Sequence, residues 1–339
     1  METEQGIFPP PPGLFASLAR GFDSVATHIA VILPPVLLDV FLWLGPRLSL
    51  KSFIEPLLNQ IVAAVPASNQ ALDPAQVQQQ IGAFANNFNL FRTLFTFPVG
   101  LSGLWSLPLL TSGNSLMEAF ENPTGSPLAG VGVLNAGSFF GIAGWIILLA
   151  MAGWVIGGIY YYWVSAVAVR PAAPAFLKSV TQSVLLSIIW AGVLFVIGIP
   201  VLTLIGSIAI FSPFLGNLLI ILAGITLIWL ILPIFFSAHG IFTLQLDAFR
   251  AILKSLRMVR FTLPNTGMFL LVFLVINQGL SFLWNVPPQN SWWTLVGITG
   301  HAFVSTALLA ASFIYYRDIN AWLAVVFEQL KKQANPTKV

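Results

Sequence analysis

Long apolar runs separated by short polar breaks dominate the chain. Residues 122–169, 179–246 and 261–316 contain no Asp, Glu, Lys or Arg. One helical pass through a bilayer needs about 20 residues, so every run is long enough to cross at least once. Turn signals divide the runs at Pro171 and Pro174, Ser212-Pro213, Pro264-Asn265 and Pro287-Pro288. The spans expected between them are 138–165, 181–206, 215–240, 266–285 and 292–316, and the apolar run at 24–45 makes a sixth. The pattern predicts an all-α, polytopic integral membrane protein with about six transmembrane helices and additional amphipathic interfacial helices.

Between the first and second spans, residues 46–137 keep a helical period without enough apolar length to cross. "KSFIEPLLNQIV" spaces Ile54, Leu57, Leu58, Ile61 and Val62 on one face, and "DPAQVQQQIGAFANNFNLF" does so with Val77, Ile81, Phe84, Phe88 and Phe91. Asp73 stands as N-cap of the second, Pro74 at N1 and Gln76 in the capping-box position. "TLFTFPVGLSGLWSLPLL" is apolar but broken by Pro98, Gly100, Gly103 and Pro108, so 93–112 reads as a re-entrant element ahead of a seventh span. The chain then divides into an N-terminal segment 1–23, a first span 24–45, an insertion 46–137, a five-helix core 138–316 containing a basic helix 246–261, and an amphipathic tail 317–339.

Charge orients this arrangement. The chain is 57% hydrophobic and 7% charged, against about 25% charged in a soluble domain. With the N-terminus cytoplasmic, the inner segments hold Arg20, Arg170, Lys178, Arg250, Lys254, Arg257, Arg260, Arg317, Lys331, Lys332 and Lys338. The outer ones hold only Arg47, Lys51 and Arg92. This bias follows the positive-inside rule and predicts a multi-pass protein of a bacterial inner membrane with both termini cytoplasmic. The opening "METEQGIFPPPP" is acidic and proline-rich, the wrong chemistry for a signal peptide. The first span is therefore expected to be retained. Tyr160, Tyr161, Tyr162, Trp163, Tyr315 and Tyr316 are expected to mark one membrane interface, and Trp43, Trp284, Trp292 and Trp293 the other.

Few residues could carry chemistry. Asp39 is the only acid inside a span, and His301, Asn277 and Gln278 fall at similar depth, so together they could form a polar pathway or cross-brace the helices. His28 and His239 could be paired as haem ligands, although no spacing fixes them. "GLSG" at 100–103 with His301 resembles the serine and histidine elements of rhomboid intramembrane proteases, which would make Ser102 a nucleophile and His301 its base. Gly137 with Gly141, and Gly153 with Gly157, allow close helix approach in the second span. The absence of Cys excludes disulfides and thiolate metal sites. No nucleotide-binding loop, zincin motif or nucleic-acid module is present, so no catalytic residue, metal ligand or cofactor is expected.

The densest charge lies in "AFRAILKSLRMVRF", where Arg250, Lys254, Arg257 and Arg260 share one side of a helix and Phe249, Ile252, Leu256 and Val259 the other. A basic amphipathic helix at the cytoplasmic surface would bind anionic lipid headgroups. A second amphipathic helix follows span six, with Ile319, Trp322, Leu323, Val326, Phe327 and Leu330 above Lys331 and Lys332.

The C-terminal part adds a resemblance. From Pro233 the order is a proline-containing span end, the basic linker with Ala248, Ser255 and Arg260, a span led by Gly267, and a final span ending in "YYRD". Over roughly the last 150 residues this resembles bacterial multi-helix membrane proteins grouped around the membrane domain of glycerophosphoryl diester phosphodiesterase. In that domain the phosphodiesterase chemistry belongs to a separate barrel, so the resemblance implies a helical membrane module and no catalytic residue. The expected function is a non-enzymatic scaffold or accessory module for lipids or a membrane complex. The alternatives are a transporter or permease subunit using Asp39, Asn277 and His301, and an intramembrane serine hydrolase.

Overall fold

The computed structural model describes residues 9–54, 56, 60, 88–104, 127–128, 132–169, 175–288 and 290–334. The proposed amphipathic helix at 73–91 lies outside these residues up to position 87, as does the 105–112 half of the expected re-entrant element.

The chain is a helical membrane protein. Among the described residues, five helical runs are long and apolar enough to cross a bilayer, and a bent pair makes six. The bent pair comes first: α1, Leu14–Thr27, meets at 99° a run made of a 3₁₀ turn, Ile29–Ile32, and α2, Leu33–Leu44. A single straight span at 24–45 is therefore not what forms. Pro34 and Pro35 lack N–H groups and occupy the first turn of α2, where helical donors have no partner anyway; the chain restarts there instead of continuing α1.

Two three-residue strands, β1 (Arg47–Ser49) and β2 (Val133–Asn135), pair in parallel and tie the two ends of the insertion together. The long helices follow as α3 (Phe139–Val169), α4 (Phe176–Val193), α5 (Ile199–Phe211), α6 (Pro213–Leu244), α7 (Ala248–Trp284) and α8 (Thr294–Ala334). A π turn at Leu194–Gly198 joins α4 to α5 into one span. It stands just before Pro200, and the wider turn accommodates a residue that has no N–H to give and crowds the preceding carbonyls.

In α7 the basic stretch and the following span form one helix bent at Thr262, ahead of Pro264. Hydroxyls take up the loosened backbone: Thr262 donates to the Met258 carbonyl at 2.6 Å and sits 2.8 Å from the Thr266 hydroxyl. The buried side of this basic helix is Ala248, Ala251, Ser255, Met258 and Val259. That face is rotated from the expected one, leaving Phe249 and Leu256 exposed. Small residues win because the helix is pressed close to α6, where Ser255 donates to the Pro233 carbonyl at 2.7 Å.

α8 is the central helix, buried almost continuously from His301 to Tyr316. Alanines and hydroxyl residues let neighbours approach it closely: a Cβ at Gly21 of α1 would lie 2.6 Å from the Ala307 carbonyl and from Ala311. Tyr160, Tyr161, Tyr315, Tyr316 and Trp43 are core residues at 8% exposure or less, not interfacial belts. Each tyrosine has a large apolar ring that fills space between helices, and Tyr160 and Tyr161 carry hydroxyls that find partners inside the protein. Only Trp163, Trp292 and Trp293 of those expected at interfaces are clearly exposed.

Candidate functional site

The polar groups inside the membrane region meet around an irregular segment, residues 88–104. It contains a short 3₁₀ turn, Leu90–Leu94, and otherwise no regular structure. Asn89 anchors its start, its side-chain oxygen accepting from Leu48 of β1 at 2.9 Å and from Phe91 at 3.1 Å.

From there the chain runs down α3. A Cβ at Gly153 would lie 2.6 Å from the Leu94 carbonyl, and one at Gly157 the same distance from the Gly100 Cα; the Tyr161 hydroxyl donates to the Pro98 carbonyl at 3.3 Å. These three α3 positions cover about 12 Å at 1.5 Å per residue. The segment then turns back, bringing Leu104 against Gly297 and Trp43 near the start of α8. Tyr160 bonds Thr306 at 2.8 Å, which fixes the relative depth of α3 and α8 and shows that Gly297 lies back toward the side of entry. Residues 93–104 thus run along α3 and fold back against the start of α8. Irregular backbone at this depth survives because it is surrounded by protein that supplies hydrogen bonds. Gly153 and Gly157 serve that packing inside the chain.

At the return of this segment stands Asp39, fully buried on α2. Its Oδ2 accepts from the Leu104 N–H at 2.8 Å, and a Cβ on Gly103 would collide with its Oδ1. The Arg92 guanidinium lies within its electrostatic reach. The sequence placed Arg92 among the outer cations and missed this pairing. The available signal was that an isolated acid in an apolar span needs a counter-charge, and the nearby insertion has few to offer.

His301, 3% exposed, bonds the backbone of Gly103, while its Nε2 has no hydrogen-bond partner. Asp39 and His301 therefore meet through residues 103–104. Asn277 and Gln278 do not join them: both are half-buried on α7, and their side chains make no hydrogen bond among the described residues. The direction of those side chains around α7 is set by packing. Ser102 is half-buried beside Gly103, and its hydroxyl makes no hydrogen bond to His301 among the described residues.

His239 is part of a separate brace. Its Nε2 lies 2.7 Å from the Ser312 hydroxyl and its Nδ1 3.1 Å from the Phe235 carbonyl. Iron ligation would have to break one of these bonds. His28 is exposed at the bend after α1 and bonds Thr27 and Ser24 locally. The two imidazoles have separate partners, and no group of His, Cys, Asp or Glu among the described residues is arranged to hold a metal ion.

The four basic residues divide. Arg250 faces Asp247 at 4.0 Å, and Arg260 is exposed. Lys254 and Arg257 instead line a cavity of about 340 Å³ between α7 and α8, with Met258, Phe261, Asn320, Leu323, Ala324 and Phe327. No protein-family model, curated protein or solved structure matches this chain. Its class rests on the helices: a multi-pass, all-α membrane protein.

Proposed function

We propose that the protein is a non-enzymatic scaffold or accessory module that holds a membrane complex together through an apolar helical hairpin. The supporting observation is the pair α5 and the first half of α6. Leu202, Ile210, Phe211, Phe214 and Trp229 are all more than half exposed, and Gly206 and Gly224 have open space where a side chain would stand. The two helices meet each other closely at Ala209 and Gly216. Lipid covers such a surface, but open glycines also admit a second helix at short distance, where packing rather than a hydrophobic drive holds helices together.

The test is photocrosslinking in native membranes from Leu202 or Ile220, exposed one turn before the open glycines. A discrete protein adduct, lost in Gly206→Leu and Gly224→Leu variants, supports the scaffold. Adducts to lipid alone overturn it.

A second reading is favoured by the Asp39, Arg92 and His301 cluster: a transporter or permease subunit in which the re-entrant segment moves. An Asp39→Asn variant in reconstituted vesicles is then expected to abolish solute or proton-linked flux. Flux that survives the substitution removes this reading. The resemblance of the C-terminal part to the phosphodiesterase membrane domain agrees with either, since it supplies a helical module and no chemistry.

A further inference from the structure

The cavity between α7 and the tail of α8 combines three features that suit one kind of ligand. Its rim is cationic, because Lys254 and Arg257 are exposed there and form no ion pair among the described residues. The nearest acid along the α8 tail, Glu328, is bonded to Lys332 at 3.2 Å. One wall is apolar and aromatic: Phe261 and Phe327 stand edge to face with ring centres 5.1 Å apart, beside Leu323 and Ala324.

The floor holds Asn320, 7% exposed. Its amide nitrogen is used, donating to the Tyr316 carbonyl at 2.8 Å and reaching the Met258 sulfur at 3.4 Å. Its Oδ1 makes no hydrogen bond of good geometry, although the Tyr316 hydroxyl is close enough to interact. A ligand hydroxyl reaching this residue would supply the well-aligned donor that Oδ1 lacks.

Position completes the argument. The cavity lies just beyond the bend at Thr262, where the charge-free run of α7 ends, and a chain leaving the hydrocarbon at that point enters the headgroup layer. α8, at 41 residues, spans about 60 Å, far more than the hydrocarbon thickness of about 30 Å. Its C-terminal turns therefore form the outer wall at headgroup level.

We infer that this cavity binds the headgroup of one anionic phospholipid carrying a hydroxyl, with its phosphate on Lys254 and Arg257, its hydroxyl donated to Asn320 Oδ1, and its upper acyl segment along Phe261 and Phe327. Arg250 and Arg260 stand outside this site, so two of the four cations read a particular lipid and two do not. The inference is independent of the scaffold reading, since it uses neither α5 nor the exposed half of α6.

The experiment is native mass spectrometry of the full chain released from vesicles of phosphatidylcholine with a minor fraction of phosphatidylglycerol. One retained phosphatidylglycerol per chain is expected. The paired substitution Lys254→Gln with Arg257→Gln should weaken retention on the order of tenfold to thirtyfold, the scale expected for two near-surface cations. The paired substitution Arg250→Gln with Arg260→Gln should leave it unchanged. Ala324→Trp, which fills the cavity without altering charge, should also expel the lipid.

Equal loss from both charge pairs would mean a diffuse surface effect and would overturn the site. So would retention in Ala324→Trp, or complete displacement of the lipid by millimolar inorganic phosphate, since a phosphate-only site would leave the aromatic wall without a role. Thermal unfolding of each variant in phosphatidylcholine alone separates lost binding from lost fold: a variant that melts with the wild type in that lipid and still loses phosphatidylglycerol counts for the proposal.

Discussion

At the scale of single residues, a carboxylate enclosed by helices needs a proton or a counter-charge, and Asp39 has Arg92 within reach and the Leu104 N–H bonded to it. Removing a cation from beside a buried carboxylate leaves that charge less compensated, whereas removing both is often far milder. Arg92→Met is therefore expected to lower the thermal midpoint of the purified protein strongly, and Asp39→Asn combined with Arg92→Met to recover much of the loss. A double variant no more stable than Arg92→Met alone would show that the two side chains act separately. Glycine positions give a sharper contrast. Gly157 has the Gly100 backbone where its Cβ would stand, and Gly206 has nothing within 4 Å. Overpacking costs about 1–3 kcal/mol, so Gly157→Leu should destabilise in detergent while Gly206→Leu should not. By contrast, Ser312→Ala should cost only about 0.6 kcal/mol, the mean for hydrogen bonds between membrane helices, because His239 keeps its bond to the Phe235 carbonyl.

Elements obey rules that the sequence displays unevenly. The long helices follow from apolar length, and two breaks fall at the expected Ser212-Pro213 and Pro287-Pro288 signals, whereas Pro264 lies inside α7 and the break before that helix comes at 245–247. The bend between α1 and α2 is also written in the chain, as Pro34-Pro35, but the apolar run through it disguises a break as a span. The basic helix shows why a wheel falls short. Apolar bulk marks Phe249 and Leu256 as the buried face, yet they are exposed at 66% and 42% while Ala251 and Ser255 are fully buried. Against lipid, a large apolar side chain loses nothing by pointing outward, and close helix packing selects small ones inward. The helix connections predict sidedness that can be checked in the Cys-free chain. Lys178→Cys and Lys254→Cys, at the starts of α4 and α7, should react with an impermeant thiol reagent from one side of sealed vesicles. Ser291→Cys, in the turn between α7 and α8, should react only from the other. Labelling of positions 254 and 291 from the same side would refute the order of crossings, and labelling of 254 from outside the cell would reverse the orientation the basic residues imply.

For the whole molecule, α8 is the post around which the rest is assembled. α1 lies along it with Arg20 bonded to Asp318 at 2.7 Å, α3 reaches it through Tyr160 and Thr306, and α6 through His239 and Ser312. Composition and periodicity by themselves determined that the chain is helical and membrane-embedded, because lipid offers no partner for backbone polar groups and a helix satisfies its own. They also determined the breaks and the uneven distribution of cations. Tertiary structure alone decided that residues 93–104 run along α3 and fold back against α8, that Arg92 comes within electrostatic reach of Asp39, that Asn277 and Gln278 form no hydrogen bond to His301 among the described residues, and that Lys254 and Arg257 line a cavity while Arg250 and Arg260 do not. The physical reason is common to all four. In water, polarity tells a buried face from an exposed one, but inside a bilayer both surroundings are apolar, and only the fit of side chains between helices decides which groups meet.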